Sequence, residues 1–224
     1  LANPGNFNNH LGLPVTLLRL DARHQFCIAE LGANHPREIA GLAQILKPTA
    51  GIITQIAPAH LEGFGSLEAI YKTKLELFES LPRGATAVLP DDDLVLINAA
   101  RKLNVRPVLV GTSESANYRI SEMKAENRQV FFTLNQKWKF SFPSSAVFLA
   151  RNAAMAVALA ESLGIKAGDL PSDWKDLKLP GGRFEDQLIG EGIRVIYDGY
   201  IASPFAFKKA LEASKYPKMT LTGF

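Results

Sequence analysis

Short apolar runs alternate with segments of helical period along the first half of the chain. Residues 26–31 (FCIAEL) and 51–57 (GIITQIA) have the length and character of strands, and helical patterns follow them over 37–46 and 67–81. This strand–helix–strand rhythm is the mark of a parallel sheet covered by helices. It continues through ATAVLP (85–90), a short helix for which the Asp91-Asp92-Asp93 run supplies an N-cap, and RPVLVG (106–111).

Between 117 and 142 the pattern changes to apolar–polar alternation, with turn residues at Glu126-Asn127 and Asn135-Gln136, which predicts a small antiparallel insertion. An Ala-rich helix over 146–163 follows and ends at Gly164, a residue suited to a left-handed C-cap. The next stretch, KAGDLPSDWKDLKLPGGRF, is rich in Pro, Gly and Asp and reads as a domain boundary. A new unit then starts with the strand 193–200 (IRVIYDGY), continues in a helix over 206–214 and reaches a last strand at 218–224 (KMTLTGF).

Composition narrows the function classes. Hydrophobic residues make up 47% of the 224 and charged residues 21%, as in an ordinary globular protein. A net charge of +3 with no Lys/Arg run longer than two residues gives no support for a nucleic-acid partner. Cys27 is the single cysteine, which excludes an intramolecular disulfide and a cysteine-based zinc site, and fits a cytoplasmic setting. The longest apolar run, 146–160, is broken by Arg151 and Asn152 and is too short to span a bilayer. A monomer acting on small molecules is expected.

Three residues at successive element ends carry the candidate chemistry. Glu30 follows a strand and precedes Gly32, and His60 follows the next strand, so both are expected at the carboxyl edge of the sheet, where open α/β sheets bind ligands. Either could ligate a metal, and either could equally be a loop residue engaged in hydrogen bonds. Lys74 lies in the helix 67–81, where Lys72, Lys74 and Glu76 read as a solvated face, and a free ammonium is no metal ligand. Arg183, after Gly181-Gly182, is placed to swing a guanidinium onto a phosphate or to sit in a surface turn. There is no P-loop, no G-x-S-x-G elbow and no G-x-G-x-x-G fingerprint.

Six separated segments, NNHLGLPVTLL, AELGANHPREI, IITQIAPAHLEGFGSLEAIYKTKLELF, ARNAAMAVALAESLGI, PGGRFE and DGYIASP, stand in the order found in the Mur ligases. The chain resembles that family over nearly its whole length, and ELGANHPREI and AHLEGFGS resemble the branch that adds D-Ala-D-Ala to UDP-MurNAc-tripeptide. The resemblance implies an α/β fold: over 1–183 the central ATPase domain, a mostly parallel sheet flanked by helices with a small antiparallel β insertion, and over 184–224 the start of a Rossmann-like C-terminal domain. It also implies an ATP-dependent amide ligase that activates a carboxylate as an acyl phosphate. Glu30, His60 and Lys74 take the places of the residues that hold Mg²⁺, with Lys74 carbamylated and so converted from a cation into a carboxylate-like anion. Asn152, Arg183 and Asp198 take those of residues contacting adenine, ATP phosphates and ribose, and Asn8 and Asn9 those of a substrate-side loop.

The sequence departs from the family pattern at Gln55, at Phe148 and Leu149, which replace a His-Asn pair, and at Ile201 and Ser203. Each lost amide removes a hydrogen-bonding group, typically worth about 1–3 kcal/mol when its partner is buried. The family's P-loop lies upstream of the NN segment, so the chain is expected to begin after it and to stop inside the C-terminal domain, inactive by itself. Two other readings fit the residues: a Mur or folylpolyglutamate-type ligase with a different acceptor, and a paralogue that binds ligand or partner without catalysis.

Overall fold

The computed structural model describes residues 1–190, 192–199 and 204–214. The chain divides into two compact units, Leu1–Asn117 and Tyr118–Phe224. The expected boundary near 183 falls inside the second.

The first unit runs α1 (Gly12–Leu17), α2 (Glu38–Leu46), β1 (Gly51–Ile52), α3 (Leu61–Phe64), α4 (Leu67–Glu79), β2 (Thr86–Pro90), α5 (Leu94–Lys102) and β3 (Arg106–Gly111). β1, β2 and β3 pair in parallel, with Gly51 opposite Ala87 and Val88 opposite Val108. β2 is buried along its whole length, as the middle strand of a parallel sheet should be. Phe78 from α4 and Leu81 just after it, with Leu96, Ile97 and Ala100 from α5, pack on Ala87, Leu89 and Leu109 of the sheet. Each large side chain so buried contributes about 1.5–3 kcal/mol.

Helix starts follow local chemistry. The Ser66 hydroxyl accepts the Ala69 amide at 3.2 Å to open α4, and Asp93 Oδ1 accepts the Leu96 amide at 2.9 Å to open α5, as the acidic run predicted. Two expected strands are shorter than their apolar runs. Residues 26–31 contribute only a parallel bridge between Ile28 and Ala2, because the Glu30 amide, which would carry the ladder on to the Asn3 carbonyl, is taken by the Asn3 side-chain Oδ1. The run 51–57 pairs only at Gly51–Ile52, with Ile53 adding one bond to the Val88 carbonyl at 3.0 Å, and Thr54 and Gln55 beyond it are exposed.

In the second unit β4 (Tyr118–Glu126), β5 (Gln129–Leu134) and β6 (Trp138–Pro143) form the predicted antiparallel meander. Asn127-Arg128 and Asn135-Gln136 turn with positive φ at both central positions, the geometry that matches strand twist in tight hairpins. α6 (Leu149–Ser162) closes in a Schellman motif: the Ile165 amide donates to Ala160 O at 3.0 Å, the Gly164 amide donates to Glu161 O at 3.1 Å, and Gly164 has φ +92°.

The Pro/Gly/Asp-rich segment is anchored on this unit. The Trp174 ring stacks on Phe142 at 6.1 Å, and its backbone amide donates to Ser141 O at 2.8 Å. A hairpin of β7 (Glu185–Ile189) and β8 (Ile193–Tyr197) follows, then α7 (Pro204–Ser214). β7 escaped the hydropathy pattern because its exposed polar residues, such as Gln187, break the apolar run. The expected strand 218–224, Ile201 and Ser203 lie outside the described residues. Among the described residues no helix is long and apolar enough to cross a membrane.

Candidate functional site

Two clusters contain the sequence-selected residues, one in each unit. In the first, the segment after Ile28 brings Glu30 against the N-terminal loop: Asn8 Nδ2 donates to Glu30 Oε1 at 2.9 Å, and the Glu30 amide donates to Asn3 Oδ1 at 3.0 Å. Gly32 completes the contact by donating to Asn8 O at 2.8 Å. A Cβ at Gly32 would stand 2.9 Å from the Asn8 carboxamide, so a side chain there would displace the group that bonds Glu30. Asn9 makes a separate, local contact. Its Oδ1 accepts the Leu11 and Gly12 amides at 3.1 and 2.9 Å and caps the start of α1.

Lys74 differs from a solvated lysine. On α4 the neighbouring Lys72 is exposed, whereas Lys74 is half-buried and Glu76 is buried, which corrects the reading of these three as one solvated face. Burial pushes the Lys74 ammonium pKa down, against the upward pull of the Glu30 and Glu38 carboxylates. A lysine in this setting gives up its proton more readily than one in water.

Glu38 and Glu76, which sequence reasoning passed over, build the frame around Lys74. Glu38 Oε2 accepts the amides of Asn34 and His35 at 2.7 and 3.1 Å and so shapes the loop before α2. Glu76 Oε1 and Oε2 accept the amides of Arg37 and Ala40 at 3.1 and 2.9 Å. Those amides belong to the N-cap and third residue of α2, so one carboxylate from α4 performs the reciprocal bonding of a capping box from another helix. No local pattern signals it, because the partners lie 39 and 36 residues away in sequence.

His60 begins α3 in a left-handed conformation, φ +54°, with its carbonyl accepting the Gly63 and Phe64 amides. Its side chain is exposed, and no hydrogen bond joins it to Glu30 or Lys74. α3 rests on the loop that Glu38 shapes: a Cβ at Gly63 would come within 2.2 Å of the Asn34 carbonyl oxygen. The structure therefore brings Asn8, Glu30 and Lys74 together, and links His60 to them through Gly63, Asn34 and Glu38. Among the described residues no group of three or more His, Cys, Asp or Glu is placed to hold a metal.

In the second unit, Asp198 Oδ1 accepts the Phe184 amide at 3.0 Å, directly after Arg183. The Phe184 ring meets Phe148 edge to face at 5.7 Å, and Asn152 lies one helical turn beyond Phe148 on α6. Asp186, also missed in the sequence, accepts both Arg194 Nε at 2.8 Å and Arg194 Nη2 at 2.6 Å, and the Ser145 hydroxyl. The Arg194 and Ser145 bonds hold its carboxyl below the usual carboxylate range and fasten the β7–β8 hairpin to the segment before α6. Its role is structural.

Residues 2–160 match the Mur ligase middle domain. The UDP-N-acetylmuramoyl-tripeptide–D-alanyl-D-alanine ligase of Escherichia coli (strain K12) is 31% identical over 221 residues, which is 95% of this chain and 48% of that protein. The structure of MurF from Acinetobacter baumannii superposes with a TM-score of 0.84 at 27% identity, covering 95% of this chain and 47% of that one. MurF ligase from Thermotoga maritima, solved in complex with ADP, gives a TM-score of 0.80 at 27% identity over 95% of this chain and 50% of that one. The chain thus spans about half the length of the relatives it matches. With the middle-domain match covering more than two thirds of its residues, the chain belongs to the Mur ligase family.

Proposed function

We propose that the full-length protein is an ATP-dependent amide ligase of peptidoglycan precursor synthesis, joining D-Ala-D-Ala to UDP-MurNAc-tripeptide in the cytoplasm as a monomer. Residues 1–183 act as its central ATPase domain and 184–224 begin its C-terminal domain. The observation that carries the reading is the setting of Lys74, a half-buried amine pushed toward its neutral form beside Glu30 and Glu38. Carbon dioxide reacts with a neutral amine and not with an ammonium, so burial favours the carbamate. The donor set suits a hard divalent cation only in that form, since carbamylation adds a third oxygen-bearing anion to Glu30 and Glu38 and creates a need for a counter-charge.

Glu30, His60 and carbamylated Lys74 would hold Mg²⁺, which when bound offsets negative charge on the transferred phosphoryl group. Asn8 orients Glu30 through its hydrogen bond to Oε1. Glu38 and Glu76 hold the loop 34–35 and the α2 N-terminus so that Lys74 and the start of α3 keep their places. On the nucleotide side Asn152 reads the base, Arg183 contacts phosphate and Asp198, braced by the Phe184 amide, faces the ribose. Asn8 and Asn9 border the muramoyl-peptide substrate. The supplied carboxylate is activated as an acyl phosphate, and the amine of D-Ala-D-Ala then attacks it.

Phosphate release by the full-length protein tests the reading. Release that requires UDP-MurNAc-tripeptide and D-Ala-D-Ala together, with the ligated product detected by mass, is the expected result. Turnover with a single amino acid or with a folate in their place assigns a different acceptor, and binding without turnover assigns a non-catalytic relative.

A further inference from the structure

We propose that Glu185 is a positioning residue for Arg183: with Asp198 it fixes the backbone on both sides of that arginine and so presets where the guanidinium meets phosphate. The inference rests on the phosphate assignment of Arg183 made above. Glu185 Oε1 accepts the Gly182 amide, and Asp198 Oδ1 accepts the Phe184 amide at 3.0 Å. The amides of both neighbours of Arg183 are therefore held by carboxylates, one from the start of β7 and one just past the end of β8. Glu185 lies opposite Tyr197 in the register, so both carboxylates come from the same end of one hairpin.

The backbone between these bonds is strained. Gly182 and Phe184, on either side of Arg183, both have positive φ, +72° and +52°. Glycine adopts that region freely, whereas a Phe there persists only where its surroundings hold it. Burial follows the same pattern: Gly182 and Phe184 are buried and Arg183 between them is exposed. One side chain bonded to a backbone amide is ordinary. Two carboxylates that bracket a single arginine, at a residue held against its own backbone preference, do more than close a turn.

A guanidinium on a long side chain loses rotamer freedom when it grips phosphate, and the loss shrinks when the backbone that carries it is already set. Misplacing a reacting or stabilising group by about 1 Å can cost roughly a hundredfold in rate. Glu185 acts in this way through Arg183, and its oxygen matters more than its charge, because the Gly182 amide is a neutral donor. A carboxamide in its place keeps an acceptor for that amide.

Turnover of the full-length protein, read as kcat/KM for ATP in a double-variant cycle, tests the inference. Arg183→Ala should lower it by about a hundredfold and Glu185→Ala by about tenfold, whereas Glu185→Gln should stay within about twofold of the unsubstituted protein. In the Arg183→Ala background Glu185→Ala should have no further effect, because the group it positions is gone. A purely structural role gives the same loss in both backgrounds. That result, an undiminished Glu185→Ala protein, or a Glu185→Gln protein as impaired as Glu185→Ala, overturns the inference and leaves the phosphate assignment of Arg183 standing. If Glu185→Ala does not fold, as judged by circular dichroism, Glu185→Asp, whose carboxylate is one methylene short of the amide, takes its place in the cycle. Undiminished turnover in Arg183→Ala overturns the phosphate assignment and the inference together.

Discussion

The Glu76 carboxylate accepts the Ala40 amide at 2.9 Å, and its second oxygen accepts the Arg37 amide at 3.1 Å, so α4 supplies the N-terminal cap of α2. A buried carboxylate with both oxygens engaged by helix amides also meets the positive end of the α2 dipole. Glu76→Ala leaves two amides without their acceptor and is expected to cost about 3 kcal/mol, whereas Glu76→Gln retains one neutral acceptor and should cost about 1 kcal/mol. Urea unfolding checks this. The midpoint should fall in that order with an unchanged slope, and equal midpoints for the two variants would show that the amides are satisfied some other way.

Glycines separate into those that admit a contact and those that do not. At Gly63 an added methyl meets a backbone oxygen, Asn34 O, at 2.2 Å, so the loop or α3 must shift. Gly63→Ala should lose about 2 kcal/mol and, because α3 begins at His60, should also lower ligation by the full-length protein. Gly41, inside α2, has nothing within 4 Å of a Cβ. Gly41→Ala should therefore stabilise by about 0.5–1 kcal/mol. Thermal unfolding of the two variants side by side measures both signs.

Tyr71 gives a pH signature. Burial, together with its hydrogen bond to Asp93 Oδ2 at 2.8 Å and the charge of that carboxylate, pushes the Tyr71 phenol up to about 12. The unfolded phenol titrates near 10. A raised pKa means that the stabilisation is complete below about pH 10 and is lost as pH rises toward about 12, because the unfolded chain releases the proton first. Stability measured against pH should fall more steeply over that window in the unsubstituted protein than in Tyr71→Phe. Parallel curves would remove Tyr71 from the account.

Local chemistry made much of this fold legible. Ser66 and Asp93 cap helices over a spacing of three residues, Gly164 closes α6 within its own turn, and Asn127 and Asn135 carry the backbone angles that tight hairpins need. What was hidden depends on partners far along the chain. The Asn3 side chain takes the Glu30 amide and ends the pairing at residues 26–31, and the burial of Lys74 and Glu76 is set by α2 and by the loop that Glu38 shapes. On a helical wheel of α4 Lys74 falls one turn after Ile70, on the apolar side, while Glu76 falls on the opposite side, where only the packed neighbours show that the face is covered. Glu30 and His60 stood out by their place at element ends and Lys74 by the family resemblance, while Glu38, Glu76 and Asp186 looked like ordinary surface acids.

Lys74 is where the central claim is tested most directly, because its chemistry must change from cation to anion for the site to serve a metal. Turnover of the full-length protein with UDP-MurNAc-tripeptide, D-Ala-D-Ala and ATP should fall by roughly a thousandfold in Lys74→Ala and recover in part when formate or acetate supplies the missing carboxylate. Unchanged turnover in Lys74→Ala would contradict the account and remove Lys74 from the site.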